Sequence, residues 1–275
     1  MPETTTAVGV SVRETLGRAT AVLSAAGCET PRLDGELLLG FVLGGDRAEL
    51  VLRSRDPVEA SALARFEALI ARRAAREPVA YITGVREFRR LSLAVDRRVL
   101  IPRPETELLV EVGLSLRSRA RVADVGTGSG AVALALKDER PDLEVVGIDV
   151  SSDALAVARE NAARLGLDVS FVRSDLLTGD RYDAVVANLP YVARAAELPP
   201  EVSVYEPTVA VYGGEDGLDV MRRLIAMLGG VPIAVLEVGF DQAGTVAGLV
   251  RRAGFNSVEH LRDLAGHERV VVGRR

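Results

Sequence analysis

Apolar residues return at three- and four-residue steps near the start of the chain, at Val12, Leu16, Ala19 and Leu23, with Gly27 behind them as a stop. That spacing lines one face of a helix. A second apolar run, Leu37 to Leu43, ends at Gly44-Gly45. A third helix is predicted from Asp56-Pro57: Glu59 follows the aspartate in the manner of a capping box, Pro57 takes the first helical position, and Val58, Leu63, Phe66, Leu69 and Ile70 supply the stripe. Pro78 closes it. Residues from about 9 to 77 read as a small helical bundle, which sets a first domain at 1–78. The pattern then changes. Phe88, Leu91, Leu93 and Val95 stand between charged residues, a short β-hairpin within a linker over 79–104. Two prolines bracket Arg103 in Ile101-Pro102-Arg103-Pro104-Glu105-Thr106, so the backbone there is stiff and extended before a helix from about Glu105 to Leu116.

From 121 onward strands and helices alternate. Strand-like runs fall at Arg121–Val125, Glu144–Asp149, Val169–Arg173, Tyr182–Ala187, Ile233–Val238, Ser257–Leu261 and Arg269–Val272, with helices predicted between most of them. This is the signature of an α/β domain over 105–275, a seven-stranded, mostly parallel, Rossmann-like sheet covered on both faces.

Composition narrows the chemistry. The chain has one Cys (Cys28), two His (His260, His267) and one Lys (Lys137) among its 275 residues. Intrachain disulfides and multi-Cys metal sites are excluded, and little is left for His-based acid–base work or a lysine Schiff base. No metal is expected. The net charge of −5 argues against a bulk-charge polyanion binder, so nucleic acid is not a required partner. Met1-Pro2-Glu3-Thr4-Thr5-Thr6 carries no signal-peptide pattern, and no apolar run reaches the ~18 residues of a membrane span, so a cytoplasmic protein without membrane attachment is expected. From 85 to 121 nine Arg face five Asp or Glu, either a solvated basic surface or a contact surface for an anionic partner.

The candidate chemistry sits at the strand ends. Asp124-Val125-Gly126-Thr127-Gly128-Ser129-Gly130 is a strand, a glycine turn and a helix start, where backbone N–H groups can approach a ligand closely. Asp149 ends the next strand 19 residues after Gly130, where a carboxylate can take both hydroxyls of a ribose. The glycine spacing is not that of a dinucleotide fingerprint, and Asp124 would repel a pyrophosphate. S-adenosyl-L-methionine (AdoMet), with its sulfonium and ammonium, suits that carboxylate, and S-adenosyl-L-homocysteine would be its product. Asp175, followed by Leu176, could accept from the adenine amino group or could merely end a turn. Asn188-Leu189-Pro190-Tyr191 lies at the carboxyl end of the fourth strand. Its carboxamide, stiff loop and ring suit a planar amide or exocyclic amine.

These blocks, with Pro78-Val79-Ala80-Tyr81-Ile82-Thr83-Gly84, Glu206-Pro207, Gly213-Gly214-Glu215-Asp216-Gly217-Leu218 and Arg262-Asp263-Leu264-Ala265-Gly266-His267-Glu268-Arg269, are together similar to the HemK/PrmC family, protein-(glutamine-N5) methyltransferases acting on bacterial peptide chain release factors. The resemblance covers about residues 32–274, and the proline–arginine–proline block is its most specific part. It implies a class I AdoMet-dependent methyltransferase domain preceded by a helical domain that helps dock the release factor. Gly126 to Gly130, Asp149 and nearby Asp124 would bind AdoMet. Asn188, Leu189, Pro190 and Tyr191 would bind the glutamine of the Gly-Gly-Gln tip, with Arg103 lining the site. A monomer is expected. The family's usual loop has proline where Leu189 stands, and Asn-Leu-Pro-Tyr also looks like the loop of ribosomal RNA adenine dimethyltransferases. Methylation of a ribosomal protein glutamine or of a nucleic-acid adenine therefore stays open, as does a non-catalytic translation-factor-binding protein.

Overall fold

Residues 10–275 are described by a computed structural model, in which the chain divides into two compact units, Met1–Gly84 and Val85–Arg275. Residues 1–9, read above for a targeting signal, lie outside the described residues.

The first unit is helical: α1 (Val12–Ala25), α2 (Pro31–Leu43), α3 (Arg47–Leu52), α4 (Ala60–Ala74) and α5 (Val79–Thr83). The predicted stripe is its core, with Leu16, Leu23, Leu38, Leu39 and Phe66 almost completely buried. The capping box, however, belongs to α1 and not to the helix after Asp56. Ser11 and Glu14 exchange side-chain and backbone bonds at the start of α1. Pro57 instead forms an isolated β-bridge with Ser11, just before α1: Val58 N–H donates to Val10 C=O at 2.9 Å and Val12 N–H to Asp56 C=O at 3.0 Å. The α4 helix therefore starts only after Glu59. Pro78 opens α5 rather than closing the bundle, and Gly84 ends α5 in the left-handed conformation. Cys28 is buried and donates to the Arg73 carbonyl.

The second unit opens with the hairpin β1 (Val85–Phe88) and β2 (Leu91–Ala94). Its apolar face, Phe88, Leu91 and Leu93, is part of the unit's own core, so the segment is packed structure more than a tether. A single 3₁₀ turn, Pro104–Thr106, leads into α6 (Glu107–Leu114). The alternation follows: β3 (Arg121–Val125), α7 (Ala131–Glu139), β4 (Glu144–Asp149), α8 (Ser152–Leu165), β5 (Ser170–Arg173), β6 (Ala184–Ala187), α9 (Pro200–Ser203), α10 (Thr208–Val211), α11 (Asp219–Met227), β7 (Ile233–Glu237), α12 (Ala243–Arg252), β8 (Ser257–Arg262) and β9 (Glu268–Arg274). The seven-stranded sheet has the order β5-β4-β3-β6-β7-β9-β8, parallel except where β9 pairs antiparallel with β7 and β8. One face, through Val122, Val145, Val186 and Val235, packs on α6 and α7; the other, through Val125, Ile148, Ala187 and Leu236, packs on α11 and α12. Burial on both faces explains the unbroken apolar strands.

The arginine surplus of 85–121 is largely spent within this unit. Arg89 grips Glu139 with two bonds of 2.8 Å, Arg98 pairs with Asp96 and Glu160, Arg117 with Asp183, Arg121 with Glu144, and Arg103 with Glu206. Arg97 stacks over the Tyr205 ring. The local excess is balanced by carboxylates distant in sequence, which composition of one segment cannot show.

Candidate active site

The site is built where parallel strands end. Val125 pairs with Ile148 on one side and Ala187 on the other, and Ala187 pairs with Leu236. One residue past these pairs, Asp149, Gly126, Asn188 and Glu237 form a row across the carboxyl edges of β4, β3, β6 and β7. Residues in register on neighbouring strands face the same way. The topology thus gathers Asp149 and Asn188, 39 positions apart in sequence, onto one ledge. This edge is where open α/β sheets bind ligands.

Two adjoining cavities open along it. The larger, about 260 Å³, is walled by Gly126, Asp149, Asp175, Leu176 and the Asn188–Pro190 segment, among others. The smaller, about 50 Å³, is walled by Leu100, Pro102, Thr106, Asp124 and the turn from Gly126 to Ser129. Leu100, Gly126, Gly128 and Asn188 belong to both. All of these residues lie within Val85–Arg275.

The glycine turn supplies the common wall. Gly126, Gly128 and Gly130 have φ of 76°, 56° and 83°, the left-handed region that other residues avoid. A Cβ at Gly126 would also press on Leu189 Cδ2 at 3.1 Å. The turn is tied down twice: Gly126 and Thr127 N–H both donate to the Ile148 carbonyl, and Asn161 of α8 donates to Ser129 C=O while bonding both backbone groups of Ala94. Asn161, fully buried, carries no motif and was invisible to pattern reading.

Two carboxylates flank the turn. Asp149 Oδ2 accepts from Gly128 N–H and Oδ1 from Ser151 N–H, both at 2.9 Å, which aims the group and leaves each oxygen a further lone pair. Burial raises its pKa against these donors. Asp124 Oδ2 accepts from Thr127 Oγ1 at 2.6 Å and Ala133 N–H at 3.1 Å. Burial pushes Asp124 up to about 6, the two donors oppose this, and the negative charge of Asp149 adds to it. Neither carboxylate has an ion pair among the described residues. A buried, uncompensated pair of acidic groups is costly alone and favours a cationic ligand. The chemistry of this donor set fits AdoMet better than any diphosphate.

The remaining expected residues are placed less uniformly. Asp175 lines the larger cavity, but its carboxylate is taken by Arg223 at 2.6 Å, and Leu176 beside it is buried with φ of 71°. Leu189 and Pro190 line that cavity, with the Leu189 side chain buried. Tyr191 lines neither cavity; it is held behind the loop, where its carbonyl accepts from Gln242 Nε2 at 2.9 Å and burial pushes its hydroxyl up to about 12. Arg103, expected at the wall, lines neither cavity. Its guanidinium turns to Glu206 at 2.6 Å, a carboxylate almost wholly buried, which fastens the proline-rich segment to the 199–211 stretch. Two residues were not singled out from sequence. Thr106 Oγ1 accepts from Asn188 Nδ2 at 3.0 Å. Glu237, at the end of β7, is 1% exposed, and burial pushes it up to about 7 with Glu105 adding and Thr106, Arg269 and Arg103 opposing. A polar residue at the last position of an otherwise apolar strand was the available signal for Glu237.

Among the described residues no cluster of three or more His, Cys, Asp or Glu is arranged to hold a metal, and no helix is long and apolar enough to cross a membrane.

Comparison with known proteins agrees with this architecture. Residues 14–84 match the PrmC N-terminal domain family and residues 104–201 the methyltransferase small domain family. A release factor glutamine methyltransferase of Deinococcus radiodurans is 43% identical over 97% of this chain and 99% of its own length. One of Caulobacter vibrioides is 39% identical over 91% of this chain and 92% of its own. Among solved structures, a methyltransferase from Pyrococcus furiosus superposes with a TM-score of 0.52 at 16% identity, covering 76% of this chain and 96% of that one, a likeness of fold. The larger unit has the class I methyltransferase fold, and with identity at this level over nearly the whole length the chain belongs to the release factor glutamine methyltransferase family.

Proposed function

We propose that this protein transfers a methyl group from AdoMet to the side-chain amide nitrogen (N5) of the glutamine in the Gly-Gly-Gln motif of peptide chain release factors. The observation that carries the reading is the position of Asn188, the first residue beyond β6 and the shared wall of both cavities. Asp149, Gly128 and the larger cavity would hold the nucleoside of AdoMet, with Asp175 and Leu176 at its far wall. Asp124, through the smaller cavity, would face the charged end of its amino-acid part. When bound, AdoMet supplies a methyl group made electrophilic by the sulfonium and leaves as S-adenosyl-L-homocysteine.

The protein's own task is aim. An amide nitrogen is a weak nucleophile because its lone pair is delocalised. Asn188 Oδ1, with its Nδ2 already committed to Thr106, accepts one N–H of the glutamine amide. The second acceptor is a backbone carbonyl of the same loop. Pro190 C=O is turned against the backbone of Gly213, so the carbonyl of Leu189 is the better placed. Holding the nitrogen in this way contributes on the order of 7–11 kcal/mol through positioning alone. No strong base is needed, because the alkylated nitrogen loses its proton to water. Leu189, where the family usually has proline, buries its side chain beside Gly126, away from the acceptor, so this exchange leaves the loop's polar groups in place. Tyr191 and Arg103 act from behind, Tyr191 by anchoring the loop and Arg103 by fastening the proline-rich segment. The helical unit, Met1–Gly84, would help dock the release factor.

The test is methyl incorporation from labelled AdoMet into a purified release factor, with the tip glutamine changed to alanine as control. Asn188→Ala is expected to lose at least a hundredfold in kcat while its affinity for S-adenosyl-L-homocysteine, titrated by calorimetry, stays within about threefold. Incorporation into the alanine-tipped factor would remove the assignment of the acceptor.

A further inference from the structure

Asn161 spends the whole hydrogen-bonding capacity of its side chain, most of it on two distant pieces of backbone. A carboxamide has two lone pairs on oxygen and two N–H groups on nitrogen. Asn161 Oδ1 accepts from Ala94 N–H at 2.7 Å and from Arg164 Nη2 at 3.0 Å. Its Nδ2 donates to Ala94 C=O and to Ser129 C=O, each at 3.0 Å. Ala94 ends β2, whose outer edge no third strand covers, so the amide stands in for a neighbouring strand. Ser129 belongs to the glycine turn, and α8 lies directly against that turn: a Cβ at Gly130 would stand 3.3 Å from Ala158 Cβ. One side chain therefore joins the end of the hairpin to the turn between β3 and α7.

The two pieces lead to different walls of the same cavities. The turn supplies Gly126 and Gly128 to both. The irregular segment that follows Ala94 supplies Arg98, Val99 and Leu100 to the larger cavity and Leu100 and Pro102 to the smaller. Arg98 also pairs with Glu160, next to Asn161 on α8, and Arg164 donates to Ser92 C=O in β2. Both of those contacts are exposed, where charged groups contribute little. Asn161 is fully buried. Packing alone does not ask for an asparagine there. Its neighbours on the buried face of α8 are Leu155, Val157, Ala158 and Ala162. An apolar residue would continue that stripe and favour the helix more. It could not answer the Ser129 carbonyl and both backbone groups of Ala94 at once. We infer that Asn161 is a positioning residue for the methyl donor: it fixes the segment after β2 and the glycine turn to one another, and so sets the width of the AdoMet site. The inference rests on the reading of these cavities as the AdoMet site.

Two variants open the join. Asn161→Asp keeps the shape and one acceptor but sets an oxygen against the carbonyls of Ala94 and Ser129. Asn161→Leu keeps the helix and removes every bond, which keeps the test decisive should the buried aspartate prevent folding. Leu143→Ala is the control, since it truncates a buried core residue that lines neither cavity and lowers stability without touching the join. Two measurements are made on the full-length protein. The first is calorimetric affinity for S-adenosyl-L-homocysteine, which should fall at least tenfold in both Asn161 variants and stay within about twofold in Leu143→Ala. In turnover, KM for AdoMet should rise at least tenfold in the Asn161 variants while KM for release factor stays within threefold. The second is hydrogen exchange at the Ala94 amide, followed by ¹⁵N NMR. Where opening of the join frees Ala94 N–H and spoils the site together, bound ligand must slow that exchange, by roughly a hundredfold at a hundred times Kd. The parent and Leu143→Ala are expected to show a slowing of at least tenfold, although Ala94 lines neither cavity. The Asn161 variants, at the same multiple of their own Kd, are expected to show less than twofold. Parental affinity in both Asn161 variants, an equal loss in Leu143→Ala, or Ala94 exchange that ignores the ligand in the parent would each overturn the role. A parent that does not bind S-adenosyl-L-homocysteine would overturn the cofactor reading and the role with it. Affinity and exchange need no acceptor, so a failure to methylate release factor would count against the acceptor assignment and not against Asn161.

Discussion

Asp124 illustrates how a single residue can work against the fold and for the ligand. Its pKa is raised from 3.8 to about 6 because burial disfavours the charged form. Between these two values the native state binds more protons than the unfolded chain, so the contribution of this group to stability falls as pH rises through that window and stays low above it. The interval corresponds to about 3 kcal/mol at ~1.4 kcal/mol per unit. Asp124→Asn removes the buried charge, so the free variant should melt at a higher temperature than the parent at pH 7.5 and show little difference at pH 4. The same change should weaken AdoMet at least tenfold, since in the proposed reading the ligand's cation offsets the charge. In the parent, calorimetric affinity for AdoMet should decline toward tenfold per unit below about pH 6, the pKa of the free carboxylate. An asparagine variant that binds AdoMet as tightly as the parent would place the ligand's cation elsewhere.

At the level of elements, the loop after β6 depends on a second loop for its shape. A Cβ at Gly213 would overlap the Pro190 carbonyl oxygen, and one at Gly217, whose φ is 80°, would overlap the Tyr191 carbonyl oxygen. The two backbones run in contact, joined by Val192 N–H to Val211 C=O at 3.1 Å and Gly213 N–H to Val192 C=O at 2.9 Å. Gly217→Ala must displace the loop that aims Asn188. A shift of about 1 Å costs on the order of a hundredfold in rate, while Gly217 and Tyr191 line neither of the two site cavities. Single-turnover kinetics should show the rate loss and a titration with S-adenosyl-L-homocysteine should not; a matching loss of affinity would mean that the glycine supports the cofactor wall instead. These elements also show what could be read from the chain. The strand–helix alternation was legible because its apolar runs are long, and Asp149 and Asn188 stood out as polar residues at strand ends. The short helices α3, α5, α9 and α10 have six residues or fewer, too few for a period to declare itself. The expected cap at Asp56 failed because tertiary pairing with residues 10–12 outbid local capping chemistry. Thr106 and Glu237 were missed for a related reason: their meaning comes from the adjacency of β6, β7 and the start of α6, which no local spacing encodes.

For the whole molecule, the division into two units makes binding and docking separable. Both cavities are walled entirely by residues of Val85–Arg275, so occupancy by AdoMet should not require an intact helical unit. That unit has its own vulnerable point. Arg73 Nε donates to Asp34 Oδ2 at 2.7 Å with both side chains only 7% exposed, and Thr30 Oγ1 donates to the other carboxylate oxygen at 2.8 Å. Replacing Asp34 with alanine breaks this buried ion pair by removing one partner, which costs about 3–5 kcal/mol. Against the 5–15 kcal/mol typical of a whole domain, this is enough to populate an opened helical unit near physiological temperature while the second unit stays folded. In Asp34→Ala the affinity for S-adenosyl-L-homocysteine should therefore remain within about twofold at 25 °C. A short peptide carrying Gly-Gly-Gln, which needs only the ledge around Asn188, should be methylated at the parental kcat/KM. An intact release factor, docked in the proposed reading by the helical unit, should lose at least tenfold in kcat/KM, mostly through KM. Equal losses for peptide and protein would show that opening the helical unit damages the ledge itself, and equal retention would show that docking rests on the methyltransferase unit alone.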